Sequence, residues 1–256
     1  MTSPPSDTLD LVVRRADLLG ELRDGPRTKP ELVAGLAVSR STVDRAVRTL
    51  ESRGLVERRG GVSLTLRGRL ALESHETFAD SVSALRDAES ALEPLPAAAT
   101  IAPELLAGAT VENPDRDAPQ RATTSFLAEV ERAEAIRGFP SAVLPPTVDV
   151  FHERIVDHGA TVDLTVPESV LDELLASHSD RVHEALDSGR FTLREATTEL
   201  SYSLLLVEQP ARTVATALVY GDHGLAAVVK NDTEDAVAWT EDVYADLRED
   251  ANPLPT

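Results

Sequence analysis

Cysteine is absent from the 256 residues, which excludes disulfides and thiolate metal ligands and suits a reducing compartment. No apolar run approaches the roughly 20 residues that a membrane span needs, so no membrane partner is expected. The opening Met-Thr-Ser-Pro-Pro-Ser-Asp lacks a basic stretch followed by an apolar one, so the expectation is a cytoplasmic protein without a secretion signal. Aromatic residues make up only 4% of the chain against 42% apolar residues overall, which points to globular packing around Ala, Val and Leu. Lysine is nearly missing: Lys29 and Lys230 are the only two among 25 basic residues.

The chain carries a net charge of −19, which by itself argues against nucleic acid. Its distribution reverses the argument. Residues 1–70 hold 13 basic and 9 acidic residues, a net of +4, whereas residues 71–256 hold 12 basic and 35 acidic, a net of −23. An acidic, lysine-poor chain rich in Ala, Asp, Glu and Val resembles proteins of extreme halophiles, whose carboxylates keep the surface hydrated where salt screens charge over about 3 Å at 1 M. An acidic mesophile protein from a GC-rich genome is the alternative.

Leu11, Leu18, Leu19 and Leu22 share one side of a helix expected over 8–22, which Asp24-Gly25-Pro26 ends. Thr28-Lys29-Pro30-Glu31 has the form of a capping box opening a short helix to about Leu36. Ser39 caps a third helix over 40–53, with Val43, Ala46, Val47 and Leu50 as its apolar stripe and Gly54 at its stop. Strands at 55–58 and 62–64 flank Gly60-Gly61, a hairpin signal. Thr65 caps a long helix over 67–92, closed by Pro94 and Pro96.

Beyond it, helices are expected near 119–135, 147–158, 167–187 and 233–248. Strands are expected at 136–139, 160–166, 190–196, 201–207, 212–220 and 225–230, with a turn at Gly221-Asp222-His223-Gly224. Crossover units followed by an antiparallel stretch predict a mixed α/β sheet covered by helices. The fold class is therefore α+β in two domains: a winged helix-turn-helix over 1–66 and an α/β regulatory domain over 96–256, joined by a connecting or dimerising helix over 67–95.

The helix over 40–53 turns its apolar stripe inward and offers Arg40, Ser41, Thr42, Asp44, Arg45, Arg48 and Thr49 on the opposite face. Arginine forks onto guanine or phosphate, and Ser and Thr serve bases or phosphates. A helix of this kind fits the major groove with its N-terminal residues at the base edges. Arg58 and Arg59 stand at the hairpin tip, where a wing over 55–64 meets the backbone or the minor groove. Thr28 and Lys29 begin the second helix, placed for phosphate contacts. A solvated, salt-bridged face, pairing Asp44 with Arg48 or Arg45 with Glu51, is the alternative for individual arginines. Three helices, two caps, a glycine stop and a basic ribbon tip in the one positive stretch of the chain favour double-stranded DNA as the partner.

The run SRSTVDRAVRTLESRGLVERRGGVSLTLRGR is similar to the recognition helix, wing and following helix of winged-helix regulators of bacteria and archaea. That resemblance implies DNA contacts at Arg40, Ser41, Thr42, Arg45 and Arg48 and wing contacts at Arg58 and Arg59. The segments TSFLAEVERAEAIRGFPSAVLP, FHERIVDHGATVDLTVPESVLDELL and LAAVVKNDTEDAVAWTEDVYADLRED resemble the C-terminal domain of archaeal, notably haloarchaeal, regulators of the methanogenesis-regulator type. Some domains of this kind look like a phospholipase-D-type fold, an enzyme family that needs a histidine nucleophile with lysine two residues later.

None of the six histidines, His75, His152, His158, His178, His183 and His223, has lysine at that spacing, so the chain is not expected to be an enzyme. His178 and His183 are five apart, and His152 and His158 six, poor helical spacings for one metal; no metal and no cofactor are expected. Phe126, Phe139, Phe151, Phe191, Tyr202, Tyr220 and Trp239 fall in the second domain, as core or around a small-molecule cavity for an unidentified effector. The expectation is a homodimeric transcription regulator, with Leu70, Phe78, Val82, Leu85 and Leu92 available to a partner helix. A phosphodiesterase or nuclease that docks through the winged helix, and a protein-interaction module, are the rivals.

Overall fold

A computed structural model describes residues 5–114, 120–222 and 224–254. His223 of the expected turn and residue 119 of the expected helix lie outside them. The chain separates into two compact units, Met1–Val82 and Ser83–Thr256.

The first unit runs α1 (Pro5–Arg14), α2 (Ala16–Gly20), α3 (Lys29–Leu36), α4 (Arg40–Ser52), β1 (Val56–Arg58), β2 (Val62–Leu64) and α5 (Leu66–Asp87), which continues into the second. The helix expected over 8–22 is two, because Arg15, at φ −125° and ψ 15°, leaves the helical region. Its leucines still reach one core: Leu11, Leu18, Leu19 and Leu22 pack with Leu32 and with Val43, Ala46, Val47 and Leu50 of α4. Ala37, at φ +52°, takes the left-handed conformation that non-glycine residues seldom adopt, so α3 turns into α4 within Ala37-Val38-Ser39. β1 and β2 pair antiparallel from Val56↔Leu64 to Arg58↔Val62, which leaves Arg59-Gly60-Gly61 at the tip. On the other side of β2 the Arg27 and Val62 amides exchange hydrogen bonds of 2.9 and 2.8 Å.

The helix expected over 67–92 breaks at Ala88, φ −95° and ψ 9°, so α6 (Glu89–Leu92) is a separate turn. Leu70, Phe78, Val82 and Leu85 are exposed on α5. Leu92, expected to face a partner helix, instead packs against a core of the second unit.

The second unit continues with α7 (Pro103–Leu106), β3 (Thr110–Glu112), α8 (Arg121–Val130), β4 (Ala135–Phe139), α9 (Pro145–Val156), β5 (Thr161–Val166), α10 (Glu168–Ser177), α11 (Ser179–Asp187), β6 (Phe191–Glu195), β7 (Ser203–Gln209), β8 (Arg212–Gly221), β9 (Gly224–Asn231), α12 (Glu234–Glu249) and β10 (Asn252–Pro253). Its strands form one mixed sheet in the order β10-β6-β5-β4-β7-β8-β9-β3. β4, β5 and β6 are parallel neighbours and the other pairings are antiparallel. The α+β class with a large mixed sheet under helices follows. The helix expected over 167–187 is divided at His178, φ −136° and ψ 23°, and α7, β3 and β10 are additional to the expected elements.

Alternation along the strands builds a core on each face. Leu205 and Val207 of β7 join the core shared with α8 to α11, while Leu204 and Leu206 join the one shared with α6, α7 and α12. Asn231, only 2% exposed, donates from Nδ2 to the carbonyls of Leu105 at 3.0 Å and Ala107 at 2.8 Å. That bond pair satisfies the end of α7, which four residues could not hold by helical bonding alone.

Candidate nucleic-acid interface

The surface in question is the outer face of α4 with the ribbon beside it. Ser39 accepts the Thr42 amide at 3.2 Å, and its hydroxyl also meets those of Ser41 at 2.9 Å and Thr42 at 2.8 Å. Ser39 therefore fixes the first turn, and Arg40, Ser41 and Thr42 stand exposed around it. Arg45 and Arg48 follow one turn apart, both exposed. Among the described residues, Arg40, Arg45 and Arg48 have no carboxylate partner. Thr49 spends its hydroxyl on the Arg45 carbonyl at 3.0 Å.

The pairs that the alternative reading placed within α4, Asp44 with Arg48 and Arg45 with Glu51, do not form. Asp44 binds Lys29 instead, and Glu51 binds Arg58 Nε at 3.0 Å. Each pair joins α4 to a neighbouring element, and spacing along the chain gives no signal for either. The Lys29 ammonium, followed by the fields of Arg40 and Arg48, holds the Asp44 carboxyl below the ordinary carboxylate range. Arg59 Nε lies 3.3 Å from Glu57 and is otherwise largely in solvent. The arrangement thus contains three unneutralised guanidiniums on one helix face and three cations already shared with carboxylates: Lys29, Arg58 and Arg59.

The capping box is formed. The Thr28 backbone N–H donates to Glu31 Oε2 at 2.6 Å and its hydroxyl at 2.7 Å. These bonds, the backbone one foremost, hold the Glu31 carboxyl below its ordinary value of 4.5. A carboxyl depressed by folding stabilises the fold above its unfolded pKa and loses that contribution as pH falls through the folded one. Glu31→Gln is therefore expected to melt below the wild type at pH 7, with the gap closing in acid; melting curves that stay parallel down to pH 3 would refute it. Thr28→Ala should cost about 1 kcal/mol, the usual worth of such a cap.

Among the described residues, no group of three or more His, Asp and Glu side chains is placed to hold a metal, and no helix is long and apolar enough to cross a membrane. In the second unit, Phe151 and Phe191 border a cavity between α9, α11 and the sheet, whereas Phe126, Phe139 and Tyr202 are closed inside the cores.

Residues 119–250 match the family described as "Methanogenesis regulatory protein FilR1, middle domain", and residues 6–87 match the family described as "HVO_A0261 N-terminal domain". No curated protein matches the chain. Among solved structures, the chain is similar to TrmBL2, an archaeal chromatin protein, at 15% identity over 98% of this chain and 100% of that one, with a TM-score of 0.45. It is also similar to NucT from Helicobacter pylori, at 7% identity over 57% of this chain and 98% of that one, TM-score 0.43. Nuc from Salmonella typhimurium, a phospholipase D family member, is 12% identical over 58% of this chain and 98% of that one, TM-score 0.42.

Proposed function

The chain belongs to the family of the methanogenesis regulatory protein FilR1 middle domain, and from that premise we propose that it is a DNA-binding transcription regulator. The first unit is a winged helix-turn-helix: α3 and α4 are its two helices, α4 enters the major groove, and β1–β2 is the wing on the backbone or minor groove. The observation that carries this reading is the exposed face of α4, where Arg40, Arg45 and Arg48 present guanidiniums that have no carboxylate partner among the described residues, in a chain of net charge −19. Three such guanidiniums grouped on one helix face suit an anionic partner.

The reading extends to a cytoplasmic homodimer that catalyses no reaction. Phe78, Val82 and Leu85, at 67%, 43% and 42% exposure, give α5 an apolar stripe for its symmetry mate, and paired heads suit a two-fold operator. The second unit regulates the heads by favouring one arrangement when its effector binds. Selection of duplexes from a random pool, followed by fluorescence anisotropy of the enriched sequence, tests the central claim. Enrichment of a pseudo-palindrome bound at least 10³-fold more tightly than random duplex is expected. No binding at low salt would end the reading.

A further inference from the structure

We propose that the cavity of the second unit is a binding site for a small carboxylic acid with an apolar body of about one aromatic ring or one branched chain. The cavity lies where the segment after β4 leads into α9, whose first two residues, Pro145 and Pro146, start the helix without amide donors. Its space is about 660 Å³ counting the open mouth and the solvent within it. Val143, Phe151, Leu174 and Phe191 form its wall, each only half-buried, and Ile155 and Leu205 form its floor. Side chains of this type leave half-buried beside a sheet are apolar area still to be covered.

The rim decides the head group. Two ion pairs tie α9 to α11: His152 Nε2 to Glu184 at 2.8 Å and Arg181 Nη2 to Asp149 at 2.9 Å. The two nitrogen-bearing partners line the cavity and the two carboxylates do not. Glu184 and Asp149 stand in solvent at 60% and 63% exposure, while His152 is only 21% exposed. Both nitrogen-bearing side chains thus border the cavity while reaching to carboxylates that stand outside it in solvent. Among the described residues, Asp149 is the sole partner of Arg181, which leaves most of its five donors available. Exposed ion pairs are weak, so a carboxylate arriving from the apolar side can take Arg181 in a two-pronged bond while its body covers Phe151 and Phe191. A purely polar ligand would find no partner at the apolar floor of Ile155 and Leu205.

The inference deepens the regulatory reading by naming the class of effector, and it rests on that reading only for the word effector. Its test uses the full chain without DNA, so a failure here is distinct from a failure to bind operator. Titration calorimetry with 3-phenylpropionate and with its neutral amide is the measurement. The acid is expected to saturate one site and to bind at least tenfold more tightly than the amide. Arg181→Gln, an exposed position that leaves packing intact, should abolish that preference. Leu174→Trp, which fills the wall, should weaken acid and amide alike by tenfold or more. Equal binding of acid and amide, no saturation by the acid, or full affinity in Leu174→Trp with an unchanged circular dichroism spectrum would each overturn the proposal.

Discussion

Gly68→Ala is expected to unfold the first unit under conditions where the wild type is intact. A Cβ at residue 68 would lie 1.8 Å from the Leu55 carbonyl oxygen and 2.8 Å from its carbon. Both are backbone atoms, so no rotamer change relieves the clash, and α5 must move by more than an ångström. That movement breaks a small network. The Thr65 hydroxyl donates to the Gly54 carbonyl at 2.7 Å and accepts the Gly68 amide at 3.0 Å, and the Thr65 amide donates to Leu55 at 3.1 Å. Leu55 itself is 0% exposed in the core. Overpacking typically costs about 1–3 kcal/mol, and the lost cap adds about 1. The sum, about 2–4 kcal/mol, is a large share of the roughly 5–15 that domains possess. Urea unfolding followed by circular dichroism checks the result. Gly20→Ala is the control, since nothing lies within 4 Å of its added carbon. A Gly68→Ala chain as stable as that control would refute the close approach.

The first unit was legible because its chain is punctuated. Thr28, Ser39, Gly54 and the Gly60-Gly61 pair each combine a side-chain or backbone property with one position, and the structure puts a cap, a cap, a stop and a tip there. The breaks at Arg15, Ala88 and His178 carry no such mark. No glycine or proline stands at any of them, and tertiary packing bends the helix where local preference would continue it. α7, β3 and β10 are too short to show a period. The outward face of α4 followed from 3.6-residue spacing, but which cations are neutralised did not. Asp44 chose Lys29, fifteen positions away, over Arg48 one turn on, because α3 and α4 cross beside it. Leu92 departs from its expected face for a related reason: α5 ends before it, and α6 carries it against the second unit's core. At the cavity, Phe151 and Phe191 could be named from composition, while the pairing of His152 with Glu184 and of Arg181 with Asp149 beside it depends on two helices meeting.

Arg45→Ala combined with Arg48→Ala is expected to lower affinity for the selected operator by about 30-fold to 10⁴-fold, at about 1–3 kcal/mol for each bidentate base contact. Both side chains are exposed and lack carboxylate partners among the described residues, so their removal should shift stability by no more than about 0.5 kcal/mol. Loss of binding with an unchanged melting temperature would separate reading from folding. Arg58→Ala and Arg59→Ala should behave otherwise. Their guanidiniums must first leave Glu51 and Glu57, so each contributes less, reduces binding to all sequences alike and lowers the salt slope by about one. Salt then discriminates between the two classes. Counterion release weakens with rising salt, and at 1 M the screening length shrinks to about 3 Å. The wing variants should converge on wild type as salt rises, whereas the α4 variant should keep its deficit, since hydrogen bonds to base edges do not depend on released ions. A double variant that binds operator like the wild type at low salt and at 1 M would remove α4 from the major groove.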